Sequence, residues 1–207
     1  MGAGRAHTPM SPAPPPSELT LGVLAGGRAT RLGGIDKAWL QRDGQPQVLR
    51  WIERFRAAAG QVRVGANHGH ARYALHGIES VADRVAGRGP LGGLDALAHA
   101  CATPWLLTLP VDTLELPQEL LPRLYEAAGA RGACACDDDG LQPLVALWRT
   151  SLLREFVADA LQRDARAAHA LVERAGLAVV RFAGLRFGNL NTPADLDRAG
   201  IAVPGHD

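Results

Sequence analysis

Short apolar runs alternate along this chain with longer stretches in which apolar residues recur every three or four positions, a pattern that predicts strands alternating with helices. Leu19 to Leu24 is the first run, too short for a stable helix and free of charge, and it predicts a buried strand. Val48, Leu49, Ile52 and Phe55 then recur at helical spacing, so a helix is expected from Pro46 to Gly60. Val62 to Val64, Ile78 to Ala82 and Trp105 to Leu109 predict further strands, with helices over Leu94 to Cys101 and Pro117 to Ala128. Ala133 to Cys136 and Leu144 to Trp148 flank the acidic turn Asp137-Asp138-Asp139-Gly140, which reads first as a hairpin, with cation binding as the alternative. Helices over Leu152 to Leu161 and Arg166 to Ala175, a strand over Leu177 to Phe182, and a last helix capped by Thr192 before Pro193 complete the order. The elements predict an α/β fold: three αβα layers around a mostly parallel, Rossmann-like sheet in a single domain.

Composition narrows this picture. A chain of 207 residues with 47% hydrophobic content can bury one substantial core, and Pro9, Pro12 and Pro14 to Pro16 mark residues 1–18 as a disordered leader before a domain at 19–203. The net charge of +1 offers no field for nucleic acid, and no uninterrupted apolar run approaches a membrane span, so neither is an expected partner. Cys101, Cys134 and Cys136 are too few and too unevenly spaced for a disulfide framework and read as reduced thiols, which places the protein in the cytoplasm.

Positive charge therefore matters where it is concentrated, in the stretch LGVLAGGRATRLGGIDK from Leu21 to Lys37. The strand runs into Leu24-Ala25-Gly26-Gly27, where missing side chains let a ligand's phosphates approach the backbone N–H groups. Arg28, Arg31 and Lys37 follow, with Gly33 and Gly34 between them. The stretch is neither a Walker loop, since Ala38 rather than Ser or Thr follows Lys37, nor a dinucleotide fingerprint, which needs G-x-G-x-x-G. Of the 22 basic residues Lys37 alone is a lysine, which singles out a position needing a compact ammonium that reaches between phosphates.

Further chemistry collects at predicted strand ends, where open α/β sheets hold their ligands. Asn67 follows the second strand and Asp83 the third; Asp112 stands at the tip of the apolar Trp105 strand, facing the same crevice as the glycine loop. Asp112 reads either as a magnesium ligand or as a turn aspartate. Gly89-Pro90-Leu91-Gly92-Gly93 either opens a helix N-terminus to an anion or serves as a packing corner. His68 and His70, without a third ligand nearby, read as a solvated loop, and Asn189 and Asn191 as ligand groups or as loop asparagines bonding their own backbone.

Taken together, LAGGRATRLGGIDK, Asp83 with GPLGG, LPVDT, QPLVAL at Gln142 to Leu147 and NLNTPADL at Asn189 to Leu196 resemble, in the same order, the landmarks of the molybdenum cofactor guanylyltransferases. The resemblance runs from about Leu19 to Ala199 and implies a nucleotide-diphospho-sugar transferase-type sheet. The implied reaction is transfer of GMP from GTP to the terminal phosphate of molybdopterin, with pyrophosphate released. It further implies Leu24, Ala25, Gly26, Gly27, Lys37, Asn67, Asp83 and Asp112 as nucleotide-binding, Arg31, Lys37 and Asp112 as catalytic, Asp112 as the Mg2+ ligand, and Asn189 and Asn191 as acceptor-binding. Implied partners are GTP, molybdopterin, and molybdoenzymes or cofactor-insertion proteins. The chain departs from that family where P-C-D-T-P is replaced by Pro110-Val111-Asp112-Thr113-Leu114, H-P-T by Gln142-Pro143-Leu144, and the first asparagine of N-x-N by Gly65. A nucleotidyltransferase with another acceptor or with CTP preference, and a catalytically silent nucleotide-binding or chaperone-like protein, remain alternatives.

Overall fold

The computed structural model describes residues 13–26, 36–165 and 167–201. Gly27, Arg28, Arg31, Gly33 and Gly34 of the glycine loop lie outside the described residues, as do residues 1–12 of the expected leader.

Among the described residues the elements are β1 (Leu19–Leu24), β2 (Gln41–Arg42), β3 (Gln45–Pro46), α1 (Gln47–Phe55), β4 (Gln61–Gly65), α2 (His70–Leu75), β5 (Glu79–Val81) and α3 (Pro90–Ala100). They continue with β6 (Trp105–Pro110), α4 (Leu120–Ala127), β7 (Gly132–Asp137), β8 (Gly140–Arg149), α5 (Thr150–Gln162), α6 (Ala168–Ala175), β9 (Ala178–Arg181) and α7 (Pro193–Arg198). Seven strands form one sheet in the order β5-β4-β1-β6-β8-β7-β9. β8 alone runs against its neighbours, because the hairpin that follows β7 inserts it antiparallel between β6 and β7. β1 pairs in parallel with β4 on one side and β6 on the other, which makes the carboxyl end of β1 the place where the strand order reverses. That is where such sheets open a crevice.

Burial explains the layers. All six residues of β1 are buried, so its two faces feed two cores. Leu19, Leu21 and Val23 join Val48, Trp51, Ile52 and Phe55 of α1, Tyr73 of α2 and Leu120 and Leu124 of α4 on one side. Leu24, with Leu94 and Leu97 of α3, Val157 of α5 and Leu171 of α6, fills the other. Each fully buried large apolar side chain of this kind is worth about 1.5–3 kcal/mol. No helix among the described residues is long and apolar enough to cross a membrane.

The expected strands and helices are present, with instructive differences at their ends. α1 stops at Phe55 rather than at Gly60, and Gly60 has another reason for being glycine: a Cβ there would stand 2.5 Å from the Pro16 carbonyl oxygen. α3 begins at Pro90 rather than Leu94, because proline at the first helical position carries the glycines into the first turn. α2 had no counterpart in the sequence reading, since Tyr73 is its one buried residue and leaves no apolar stripe to detect. Asp43 and Gly44, at φ 53° and 75°, form the expected tight turn between β2 and β3. Asp137 serves the hairpin: buried, it accepts from the Asp139 N–H, the Gln142 amide and the Phe187 N–H, tying the β7–β8 hairpin to the segment before α7. Cys101, Cys134 and Cys136 are all free, and burial pushes the Cys134 thiol up to about 12.

Residues 13–18, read from the sequence as part of a disordered stretch, are ordered. Pro14 is buried, Pro16–Glu18 form a 3-10 turn, and the Pro16 carbonyl accepts from the Gly60 N–H at 2.7 Å, so residues 13–18 pack against the domain. A chain beginning at Leu19 should therefore melt several degrees below one beginning at Ala13, since about 1 kcal/mol corresponds to roughly 2–4 °C in a domain of this size. Differential scanning calorimetry of the two forms is the check, and equal melting temperatures would contradict this docking. Asp137→Ala, which strands three donors, should cost about 2–4 kcal/mol in urea unfolding, against about 0.5 kcal/mol or less for Asp138→Ala, whose one-third-exposed side chain meets only Arg181 among the described residues.

Candidate nucleotide-transfer site

Four strands deliver their ends to one edge of the sheet, and with them most of the residues singled out in the sequence. The Ala25 N–H donates to the Gly65 carbonyl at 2.8 Å, carrying the β1–β4 ladder one step past the strand and leaving Gly26 exposed at the rim. A Cβ on Gly26 would lie 3.8 Å from the Gly65 oxygen and 3.9 Å from the Asn67 amide nitrogen, so glycine here keeps the floor open toward Asn67.

Asn67 and Asp83 are mutually locked: the Asn67 amide donates to the Asp83 carboxylate at 3.0 Å, and the Asp83 N–H donates back to the Asn67 carbonyl oxygen at 2.8 Å. Their neighbour is the first turn of α3. A Cβ on Gly92 would meet Asp83 Oδ2 at 2.9 Å, and one on Gly93 would meet Leu24 Cδ2 at 2.8 Å. The two glycines of GPLGG thus serve as a packing corner, and they also bring the positive end of the helix to the Asp83 carboxylate. Leu24, Asn67 and Asp83 thereby line one half of the crevice.

Lys37, Asp112 and Asn191 make the other half. The Lys37 ammonium donates to Asp112 Oδ2 at 2.8 Å and to Asn191 Oδ1 at 2.9 Å, joining positions 75 and 154 residues apart. Lys37 starts a 3-10 turn, Lys37–Trp39, capped by the Asp36 carboxylate on the Ala38 N–H at 3.0 Å. Trp39 anchors this turn, with its ring 5.1 Å from that of Tyr73 and with the Arg72 guanidinium 4.0 Å above it. Leu40 packs with Leu190, Leu196 and Ile201 in a small core of its own, which carries the segment bearing Asn191 to the lysine.

That segment is fixed at both ends. Thr113 and Asn189 form an antiparallel bridge and the Leu190 N–H donates to the Asp112 carbonyl at 2.9 Å. Downstream, Thr192 and Asp195 form a capping box, and the Thr192 hydroxyl and the Asn191 N–H hold the Asp195 carboxyl below its usual range. Asn191 reaches the lysine, whereas Asn189 is held through its backbone and is brought to none of the other predicted residues by a side-chain bond among the described residues. Arg31 and Gly27 lie outside the described residues. Trp39 and Gln47 join the site from outside the residues singled out in the sequence; a tryptophan two positions after the sole lysine is a usable signal, a glutamine at the start of an amphipathic helix is not.

Among the described residues no three acidic, histidine or cysteine side chains gather as a metal cage. Asp112 fits magnesium in another way. Its side chain is about one quarter exposed (23%), Lys37 holds Oδ2, and Oδ1 has no protein donor among the described residues. Magnesium characteristically takes one or two carboxylates and completes its shell with water and substrate phosphates.

Residues 21–178 match the model of the MobA-like NTP transferase domain. The molybdenum cofactor guanylyltransferase of Yersinia pseudotuberculosis is 35% identical over 179 residues, covering 84% of this chain and 91% of that protein, and that of Yersinia pestis gives the same figures. Among solved structures, the molybdopterin-guanine dinucleotide biosynthesis protein A of Archaeoglobus fulgidus superposes with a TM-score of 0.65 at 22% identity, over 87% of this chain and 96% of that one. The 2-C-methyl-D-erythritol 4-phosphate cytidylyltransferase of Thermus thermophilus does so at 0.66 and 20% identity, over 86% and 95%. These two show the fold they share with this chain. With that fold, the strand-end crevice and the matched sequence in agreement, the chain belongs to the MobA-like NTP transferase family.

Proposed function

We propose that this protein is a molybdenum cofactor guanylyltransferase, which transfers GMP from GTP to the terminal phosphate of molybdopterin and releases pyrophosphate. The observation that carries the reading is the meeting of Lys37, Asp112 and Asn191, three residues from three landmarks of the sequence, at the rim where the strand order reverses. Identity of 35% to proteins bearing that name over most of both chains supports it independently.

In this reading the guanine nucleoside lies over Leu24 and against the Asn67–Asp83 pair, with its phosphates running along Ala25, Gly26 and Gly27 toward Lys37. An oxygen of the acceptor's terminal phosphate attacks the α-phosphorus, the bond from that phosphorus to the bridging oxygen breaks, and the electron pair leaves with pyrophosphate. The acceptor is already anionic, so no side chain has to remove a proton. Lys37 and Arg31 neutralise charge on the leaving group, and Asn189 and Asn191 bind the acceptor. Asp112 would hold magnesium, which would supply positive charge to neutralise the phosphates. Positioning and electrostatics account for most of the acceleration in such transfers.

Pyrophosphate release with GTP, CTP and ATP, each with and without molybdopterin, tests the assignment. GTP- and molybdopterin-dependent release is expected; CTP preference would overturn the guanylyl assignment, and nucleotide binding without turnover would mark a silent homologue. Asp112→Asn should lower turnover by on the order of a hundredfold or more, as loss of a transition-state electrostatic contact does. Its melting temperature should stay near that of the parent, because the side chain is partly exposed. Lys37→Arg keeps the charge but replaces a point donor that meets both Asp112 and Asn191 with a planar fork. A displacement of about 1 Å can cost on the order of a hundredfold, so steady-state rates of Lys37→Arg and Lys37→Ala should both fall by at least that factor. Wild-type activity in the arginine variant would remove Lys37 from the catalytic set.

A further inference from the structure

Gln47 stands at the first position of α1, is fully buried, and lies among apolar neighbours of the α1 core. Its side-chain amide donates to the Thr113 carbonyl at 2.8 Å, one peptide beyond Asp112. Its backbone N–H donates to the Leu40 carbonyl at 2.9 Å, and the Leu40 N–H donates in turn to the Lys37 carbonyl at 3.4 Å. One residue therefore holds both the turn that delivers Lys37 and the loop that delivers Asp112. Other side chains nearby cap the next carbonyls of that loop, Arg42 on Leu114 at 2.8 Å and Arg54 on Leu116 at 2.7 Å, but both are long, partly exposed arginines. Gln47 is the buried member of the set and the one adjoining Asp112.

The arrangement is costly in itself. Gln47 Oε1 and Thr113 Oγ1 are both buried and have no hydrogen-bond partner among the described residues. An apolar side chain of the same length would avoid the unpaired amide oxygen, so packing does not account for glutamine at this position. What glutamine adds is a donor aimed at the Thr113 carbonyl. The Thr113 N–H donates to the Pro110 carbonyl at 3.3 Å and the Asp112 carbonyl accepts from the Leu190 N–H at 2.9 Å, both on the peptide that follows Asp112; the Gln47 bond holds the next peptide, so two consecutive peptides on the carboxyl side of Asp112 are fixed.

We infer that Gln47 is a positioning residue for the metal carboxylate: it sets the direction of Asp112 and its separation from Lys37 without touching nucleotide or metal. The inference rests on the reading of Asp112 as the metal ligand. Partners that orient a metal ligand typically change metal affinity by about 10–100-fold when removed.

The test measures Mn2+ binding by electron paramagnetic resonance in the presence of GTP, together with the Mg2+ concentration for half-maximal turnover. Gln47→Met keeps the length and removes the donor; Gln47→Asn keeps the amide but is one methylene short, and serves should the methionine variant not fold. Either variant should weaken Mn2+ about tenfold and raise the half-saturating Mg2+ by a similar factor, with turnover largely restored by excess Mg2+. Asp112→Asn is the reference. If it abolishes Mn2+ binding while both Gln47 variants bind Mn2+ within about twofold of the parent and only melt earlier, Gln47 is a stability residue and the inference is overturned. If Asp112→Asn itself keeps the parent's Mn2+ affinity, the metal reading of Asp112 falls and takes the inference with it.

Discussion

Lys37 and Asp112 meet at 2.8 Å with side chains only about one fifth exposed, and much of the surrounding structure exists to bring them to that distance. Two unit charges about 4 Å apart near a protein surface attract by about 4 kcal/mol before desolvation, and at this exposure screening and desolvation remove a large share. The pair is therefore a modest stabiliser and a strong geometric constraint. The carboxylate is carried on the end of β6, which is bonded on both sides within the sheet; the lysine is carried on a single turn plugged by Trp39 and Leu40. Opposite charges already face each other there in fixed positions, which is the condition for electrostatic preorganisation.

The opposite wall of the crevice obeys the same logic with a helix in place of a lysine. Asp83 lies against the first turn of α3, close enough that a methyl on Gly92 would collide with its carboxylate. A carboxylate at a helix N-terminus is favoured by roughly 0.3–1 kcal/mol when partly exposed, so Asp83 is held by the dipole as well as by Asn67. Gly93 lowers the same helix onto Leu24, which brings β1, β5 and α3 to a common corner. The acid predicted from strand-end position and the glycines predicted from helix-start composition thus belong to one device.

Features set by burial were legible in the sequence. β1 was recoverable to its end residues because every side chain in it is apolar or small and both faces are covered, and α1 because Val48, Ile52 and Phe55 form a stripe. Asp112 was legible because an acid following an apolar strand has few places to be other than the rim. What could not be read was set by single long-range bonds: α2, which buries one residue; the role of Gly60, imposed by a carbonyl 44 residues earlier; and the Gln47 bond to Thr113, 66 residues away. Periodicity reports faces, and none of these is a property of a face.

The departures from the family's sequence pattern also acquire physical meaning. Val111 is buried, and an apolar side chain fills there what a cysteine would fill, leaving the adjoining Asp112 untouched. Gly65 is not demanded by packing, since a Cβ would sit 3.5 Å from Leu97 and 3.8 Å from the Gly93 oxygen, both ordinary contacts. Its absent side chain is therefore a change in what faces the crevice edge near Asn67. Leu114, where proline is the family's habit, goes further: its N–H donates toward the Phe187 and Gly188 carbonyls at 3.1 and 3.3 Å, and its side chain covers Gly188. A proline has no such hydrogen to give. The substitution therefore adds a backbone tie between the loop that carries Asp112 and the segment that carries Asn189 and Asn191, so the two walls of that half of the crevice are held to each other.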